Sequence, residues 1–472
     1  METSWATEDE LRPRIDAEYY GRAFVEAESR LTAHNKTLPF RKLWHKANRI
    51  YIGIAGFDSV EDPSQYTPYL RPVDISDNGW INYEQLAWCK KEWLVNHEKN
   101  GCAIPGDLII EVKGYTRKVA LVSTEILKRC IVSGSSYRIQ LKPEYDSHFV
   151  FCYLLSPTGQ TLKRRLVSNT GISYIDPDSF KSYEIPIPSD RIQRAIGHKV
   201  RAAEQQQATG TAKVRDAICR IKQFFGSADY SGLKPNTDGK CDYFSGFVSS
   251  ADLGLFLGAQ FFAPKREQAV ALVTATGVGQ RLGSHGRRVR AKGRRTAARL
   301  HVDPANVLGG DGYWSSGGSD DGGDVVLARP GHALFLRMRP YLNKTTINDT
   351  EQVVSGSPEF LVYEFDGTDA YYATLCLRQP WALAQVAEIA TGDRPRVDGE
   401  FIDEIVVPWP DEVVRQDIGQ LYQSSFALRR RADRLVEQAI TDVENLIDGT
   451  LDEAACLAEG RRLAEEFGLE VP

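Results

Sequence analysis

"IVSGSSYRI", residues 131–139, returns as "VVSGSPEFL" at 353–361. Ser133-Gly134-Ser135 and Ser355-Gly356-Ser357 stand 222 positions apart. The same offset carries Phe149 onto Tyr371 and Tyr153 onto Leu375. It then lays "YEIPIPSD" (183–190) on "IVVPWPDE" (405–412), so Pro186 meets Pro408 and Pro188 meets Pro410. Beyond them Ile196-Gly197 falls on Ile418-Gly419. Similarity at one place arises by chance; a register kept from Ser133 to Gly197 does not.

Upstream the offset drifts. "IPGDLII" (104–110) matches "RPGHALF" (329–335) at 225, and "DAEYY" (16–20) matches "GAQFF" (258–262) at 242. We read the drift as residues gained by the second copy and place them at 281–324. There an Arg-rich run, "RLGSHGRRVRAKGRRTAAR", precedes "GGDGYWSSGGSDDGGD", which has the composition of a flexible loop. Solenoid units span only about 20 to 50 residues, so this is a duplicated domain rather than a stacked array. A duplicated domain implies a ligand with two similar halves.

The totals bound the rest. At 472 residues, two to four domains are expected. A net charge of −5 makes any nucleic-acid surface local. The start, "METSWATEDE", lacks a basic, apolar leader, and no apolar run nears the roughly 18 residues a membrane span needs. The eight cysteines are scattered without a CxxC pair, so we expect reduced thiols in the cytoplasm and no metal site.

Each copy opens with a short helical stretch, 9–33 and about 250–273. Short strand-like runs follow: "IYIGIAG" (50–56), "DLIIEV" (107–112), "VALVST" (119–124) and "SYRIQL" (136–141), then "HALFLRM" (332–338) and "FLVYEF" (360–365). "SHFVFCYLLS" (147–156) reads as helix. After each Pro-x-Pro comes a long amphipathic helix, about 190–225 and 411–447. Ile192, Ile196, Val200, Val214, Ile218 and Ile221 form the first stripe, and Val414, Ile418, Leu421, Leu428, Leu435 and Val443 the second. A break is expected at "EQQQATGT", around Gly210, and a stop at Gly449. Such helices, roughly 54 Å long, need partners. We expect each to find the other as an antiparallel coiled coil, the alternative being that each folds back on its own body.

Two β-rich bodies, each followed by Pro-x-Pro and a long helix, resemble the specificity subunits of Type I restriction–modification systems. "PGDLIIEVKG" (105–114), "RPYLNK" (339–344), "IPIPSDRIQRAIG" (185–197) and "VPWPDEVVRQDIG" (407–419) carry the resemblance. The family's usual Pro-Leu-Pro-Pro-Leu-Glu-Glu-Gln is only partly kept: Gln193 and Ile196 remain, and Arg415 takes the Gln place in the second copy. The resemblance implies an α+β fold of two tandem target recognition domains, separated by two long antiparallel helices in a pseudo-twofold arrangement. The expected parts are residues 1–188, 189–228 (helix), 229–410, 411–449 (helix) and a helical tail, 450–472. It implies binding of a bipartite double-stranded DNA site and a platform for adenine methyltransferase subunits, two of them, with a restriction–translocase subunit beyond. No chemistry and no cofactor are implied for the chain itself. The competing reading is a non-catalytic adaptor in a related phage-defence complex, with degenerate recognition domains.

Base reading needs polar side chains on loops over a basic surface. Lys113, Tyr115, Arg117 and Lys118 follow the "GDLII" run; Arg337, Arg339, Tyr341, Asn343 and Lys344 follow "HALFL". Tyr-x-x-Lys recurs in both loops. Lys163, Arg164, Arg165 and Asn169 are echoed by Arg394 and Arg396. Arg287, Arg288, Arg290 and Arg294 suit phosphate contacts. Each cluster alone could equally be a solvated face.

Catalysis finds little support. Asp107 and Glu111-x-Lys113 resemble part of a nuclease metal site, but on one strand the two carboxylates sit roughly 13 Å apart. "TATGVGQRLG" (274–283) is a weak glycine pattern, and no Walker lysine loop is present.

Overall fold

The computed structural model describes residues 17–48, 54–57, 60, 62–83, 86–123, 130–168, 173–233, 247–248, 258–316, 322–390 and 394–471. Two compact units emerge. The first joins 1–208 to 430–472, and the second is 209–429. Each long helix gives one half to each unit. The expected helical stretch over 9–16 and most of the strand at 50–56 lie outside the described residues.

The first unit holds a four-stranded sheet in the order Trp44–Asn48, Ser136–Leu141, Leu108–Glu111, Val119–Leu121, antiparallel throughout. The second repeats it with Arg287–Val289, Phe360–Glu364, Ala333–Leu336 and Thr346–Ile347. Leu108, Ile109 and Ile110 are fully buried, as are Ala333 and Leu334, which explains their near-continuous apolar runs. The helices Ser147–Leu155 and Asp369–Leu377 follow, almost wholly buried.

The repeated Val-Ser-Gly-Ser closes a parallel strand pair in both units. Ser133 N–H donates to Leu70 O at 2.8 Å, and Ser355 N–H donates to Leu300 O at 2.9 Å. The adjoining pairs are Tyr69–Ile131 with Leu70–Val132, and His301–Ser355 with Val302–Gly356. Glycine at 356 leaves room for the next layer: a Cβ there would come within 3.1 Å of Leu334. The Pro-x-Pro segments also match. Glu184–Pro186 pairs with Thr37–Pro39, and Val406–Pro408 pairs with Gly279–Arg281.

Three expectations need correction. First, the paired strands equate Ala47 with Arg288, 241 apart, and Leu108 with Ala333, 225 apart. The second copy is therefore shorter here, and the extra residues belong to the first, which includes a helix at Lys91–Gly101. Second, the Arg-rich run is no inserted loop. It supplies the strands Arg287–Val289 and Lys292–Arg294, with Arg287, Lys292 and Arg294 exposed and Arg288, Val289 and Gly293 partly covered. The single offset also slips by two within Ser136–Leu141, where Ile139 and Tyr363 take equivalent places. Third, the first long helix runs from Asp190 to Gln223 without interruption. Gly210 marks a close approach: a Cβ there would lie 3.2 Å from Ser425 O on the second long helix, Glu412–Ile447.

Within the second unit Thr211 meets Arg429 (3.1 Å) and Arg220 meets Asp417, so the helix segments run antiparallel. In the first, Lys199 pairs with Asp442 at 2.6 Å. Both segments also pack on their own bodies, through Arg201–Asp146 in the first and Arg415–Asp369 in the second. The tail forms a helix at Glu453–Phe467 that completes the first unit's core with Cys456 and Leu463. Beyond it, Glu470 O lies 2.6 Å from His198 Nε2.

The Arg-for-Gln exchange preserves local chemistry. Gln193 Nε2 donates to Pro188 O at 3.0 Å, and Arg415 Nη1 donates to Pro410 O at 2.6 Å. Either side chain ties the start of its helix to the preceding proline. Among the described residues no helix is long and apolar enough to cross a membrane.

Candidate nucleic-acid interface

In each unit the central strand of the four-stranded sheet runs out into a basic loop. Lys113 bridges to Tyr174 in the first unit, and Met338 bridges to Arg396 at the corresponding place in the second. The structure thus brings residues 113–118 beside 173–175, and 337–344 beside 394–397. Sequence reasoning placed these clusters far apart along the chain, in matching pairs.

The first loop is shaped by Gly114 and Thr116, both with positive φ (105° and 55°). Tyr115 at its tip is 89% exposed, with Lys113 and Arg117 exposed on either side. Glu111 Oε2 accepts from the N–H groups of Arg117 (2.9 Å) and Lys118 (3.1 Å). Lys118 Nζ reaches Asp77 at 2.5 Å. In the second loop Arg339 and Asn343 take left-handed backbone (φ 49° and 54°) around the turn Pro340–Leu342. Arg339 and Leu342 are exposed, and Tyr341 is half-buried.

Several expected contact residues turn inward. Lys163 is fully buried and donates to Arg117 O at 3.1 Å, and burial pushes its amine down to about 7. Arg165 is buried too, donating to Tyr19 O and pairing with Glu28, each at 2.7 Å. Lys344 Nζ donates to Val307 O at 2.6 Å, and burial lowers its pKa. Arg337 and Arg396 share Glu359, at 3.4 and 2.6 Å; the hydrogen bonds from Arg396 hold that carboxyl below its usual range. Arg164 stays exposed, its guanidinium 5.5 Å over the Phe24 ring. Arg394 is exposed. Asn169 lies outside the described residues.

Arg287, Arg288, Arg290, Arg329 and His332 line a cleft of about 460 Å³ in the second unit. Arg287 is held by Glu364, and Arg288 by Asp403 at 3.2 Å. Arg290 has no carboxylate partner among the described residues, and Arg329 acts on Glu364 only from beyond ion-pair distance. Arg294 pairs with Asp324 at 3.5 Å on the exposed edge. Arg329 and His332 precede the strand whose far end carries the 337–344 loop, so cleft and loop stand at opposite ends of one strand. Sequence reading missed Arg329, whose signal was its place just before the "GHALF" run.

The nuclease-like residues are otherwise engaged. Asp107 is buried against Arg138 at 2.5 Å and accepts from Ile104 N–H at 2.9 Å. Glu111 holds the loop amides already described.

Residues 57–218 match the family described as the Type I restriction modification DNA specificity domain. Over that stretch the chain is similar to the DNA specificity domains of Type I restriction–modification systems. Among solved structures it is similar to the Type I restriction–modification S subunit from M. genitalium. Identity there is 14%, with 88% of this chain and 96% of that chain covered, at a TM-score of 0.37. It is also similar to the HsdS subunit from Thermoanaerobacter tengcongensis, at 15% identity, 89% and 98% coverage and a TM-score of 0.30. No curated protein matches the chain.

Proposed function

We propose that the two units are target recognition domains, within 1–188 and 229–410, that read the two halves of a bipartite double-stranded DNA site. The helices would fix the spacing between the halves and offer a platform to two adenine methyltransferase subunits, with a restriction–translocase subunit joining through them. The chain then does no chemistry of its own. A related structure at 15% identity comes from work on complex assembly in the Type I system.

The observation that carries the reading is the duplicated loop. Each unit presents a basic loop from the same strand position, bridged to a second segment at the same register. Lys113, Tyr115, Arg117 and Arg164 in the first unit, and Arg339, Tyr341 and Arg394 in the second, would be the side chains that meet DNA. Arg287, Arg288 and Arg290 would meet phosphates. An adaptor with degenerate domains would not need such loops. The test is methylation mapping in the host cell with and without this chain. A split motif lost on deletion is expected; an unchanged methylome would refute the proposal.

A further inference from the structure

We propose that each reading loop stands on a buried cation of its own unit, Lys163 in the first and Arg378 in the second, which sets the loop's shape and so its choice of bases. The inference rests on the reading of these loops as base-contacting.

Lys163 comes from the helix Pro157–Arg165 and Arg378 from the end of the helix Asp369–Leu377. Both are buried. Neither makes a carboxylate ion pair among the described residues; Glu111 acts on Lys163, and Asp311 on Arg378, only from farther off. Instead both donate to main-chain carbonyls of, or beside, the loop. Lys163 Nζ and Gln160 Nε2 converge on Arg117 O, at 3.1 and 3.0 Å. Arg378 Nη1 donates to Asn343 O at 3.0 Å and to Thr345 O, while Nη2 reaches Gly309 O at 2.6 Å. In return Asn343 Nδ2 donates to Arg378 O at 3.1 Å.

A buried cation without a counter-ion in contact is costly, and burial, only partly offset by Glu111 and Asp311, lowers the pKa of both groups. Such a cost persists where the surroundings need the donor. What these donors satisfy is loop backbone in strained conformation: Thr116 just before Arg117, and Asn343 itself, have left-handed φ. The two cations do not occupy equivalent repeat positions. At the offset of 222 Arg378 corresponds to Ser156, and Lys163 to Gln385. Each loop is therefore supported by its own arrangement, which lets the two units hold different loop shapes on one scaffold. Lys163 and Arg378 are positioning residues, not DNA contacts.

The test is selection by the purified full-length chain from a pool of duplexes with two randomised blocks and a random spacer. Lys163→Met and the milder Gln160→Ala should relax discrimination about tenfold in one block and leave the other unchanged, the scale of one lost base-pair preference. Arg378→Lys should relax the opposite block. The salt dependence of binding should not change, since no phosphate contact is lost, whereas a direct phosphate contact by Lys163 would lower the slope by about one. Equal relaxation of both blocks by every variant would mean a general loss of structure and overturn the inference. So would unaltered selection. If the wild-type chain selects no sequence at all, the reading of the loops falls, and this inference with it.

Discussion

Replacing Lys163 by Met should change how stability depends on pH. Burial holds the amine at about 7 in the folded chain. Unfolded, it returns to about 10.4. Between these values the unfolded chain carries an extra proton, so this lysine makes folding more favourable as pH rises. Below about pH 7 its penalty is complete and constant. From pH 7 to 8.5 the linkage is on the order of 1–2 kcal/mol. Met fills the same slot, cannot ionise, and leaves Arg117 O with its bond from Gln160. The assay is native-state hydrogen exchange of amides in Ser147–Leu155 and Pro157–Arg165, corrected for intrinsic rates at each pH. Groups that titrate elsewhere in the chain are common to both proteins and cancel in the difference. The expected result is a wild-type minus variant stability that climbs over that interval, on the order of 1–2 kcal/mol. A flat difference would refute the burial argument.

Gly210→Val should destabilise the helix pair in the second unit by about 1–3 kcal/mol, because its Cβ would press on Ser425 O, 3.2 Å away; thermal unfolding measures it, and a neutral result would deny the close approach. Arg415→Met should cost about 1–3 kcal/mol, since it strands partly buried Asp369 and frees Pro410 O, whereas Arg415→Gln should recover part of that loss, as Gln193 serves the corresponding carbonyl in the first unit. Arg290→Ala should leave the melting temperature unchanged, being exposed and unpaired among the described residues, yet reduce the log–log salt slope of DNA binding by about one. Tyr115→Ala should likewise spare stability, to within about 0.5 kcal/mol, while weakening DNA binding measured by fluorescence anisotropy.

The doubled architecture was legible because duplication leaves its record in spacing. Val-Ser-Gly-Ser, Pro-x-Pro and the apolar stripes of the long helices kept their order, and each corresponds to a strand pair or helix found in both units. The offsets carried the strand register as well: Thr37 and Gly279 hold equivalent places 242 apart, the offset first met at residues 16–20. The direction of the length change was misread. Composition made the Arg-rich run look like an insertion, although it supplies two edge strands with exposed Arg287 and Arg294.

Side-chain fate was less legible. Lys163, Arg164 and Arg165 are consecutive in the sequence, yet the middle one alone is exposed, because a helix turns each residue by about 100° and the body covers two of those directions. Gly210 reads as a helix breaker in isolation and acts as a contact once Ser425 lies across from it. Periodicity and repetition, being local and additive along the chain, determined the elements and their duplication. Which cations face water and which support a loop depends on segments far apart in sequence, and only packing brings those together.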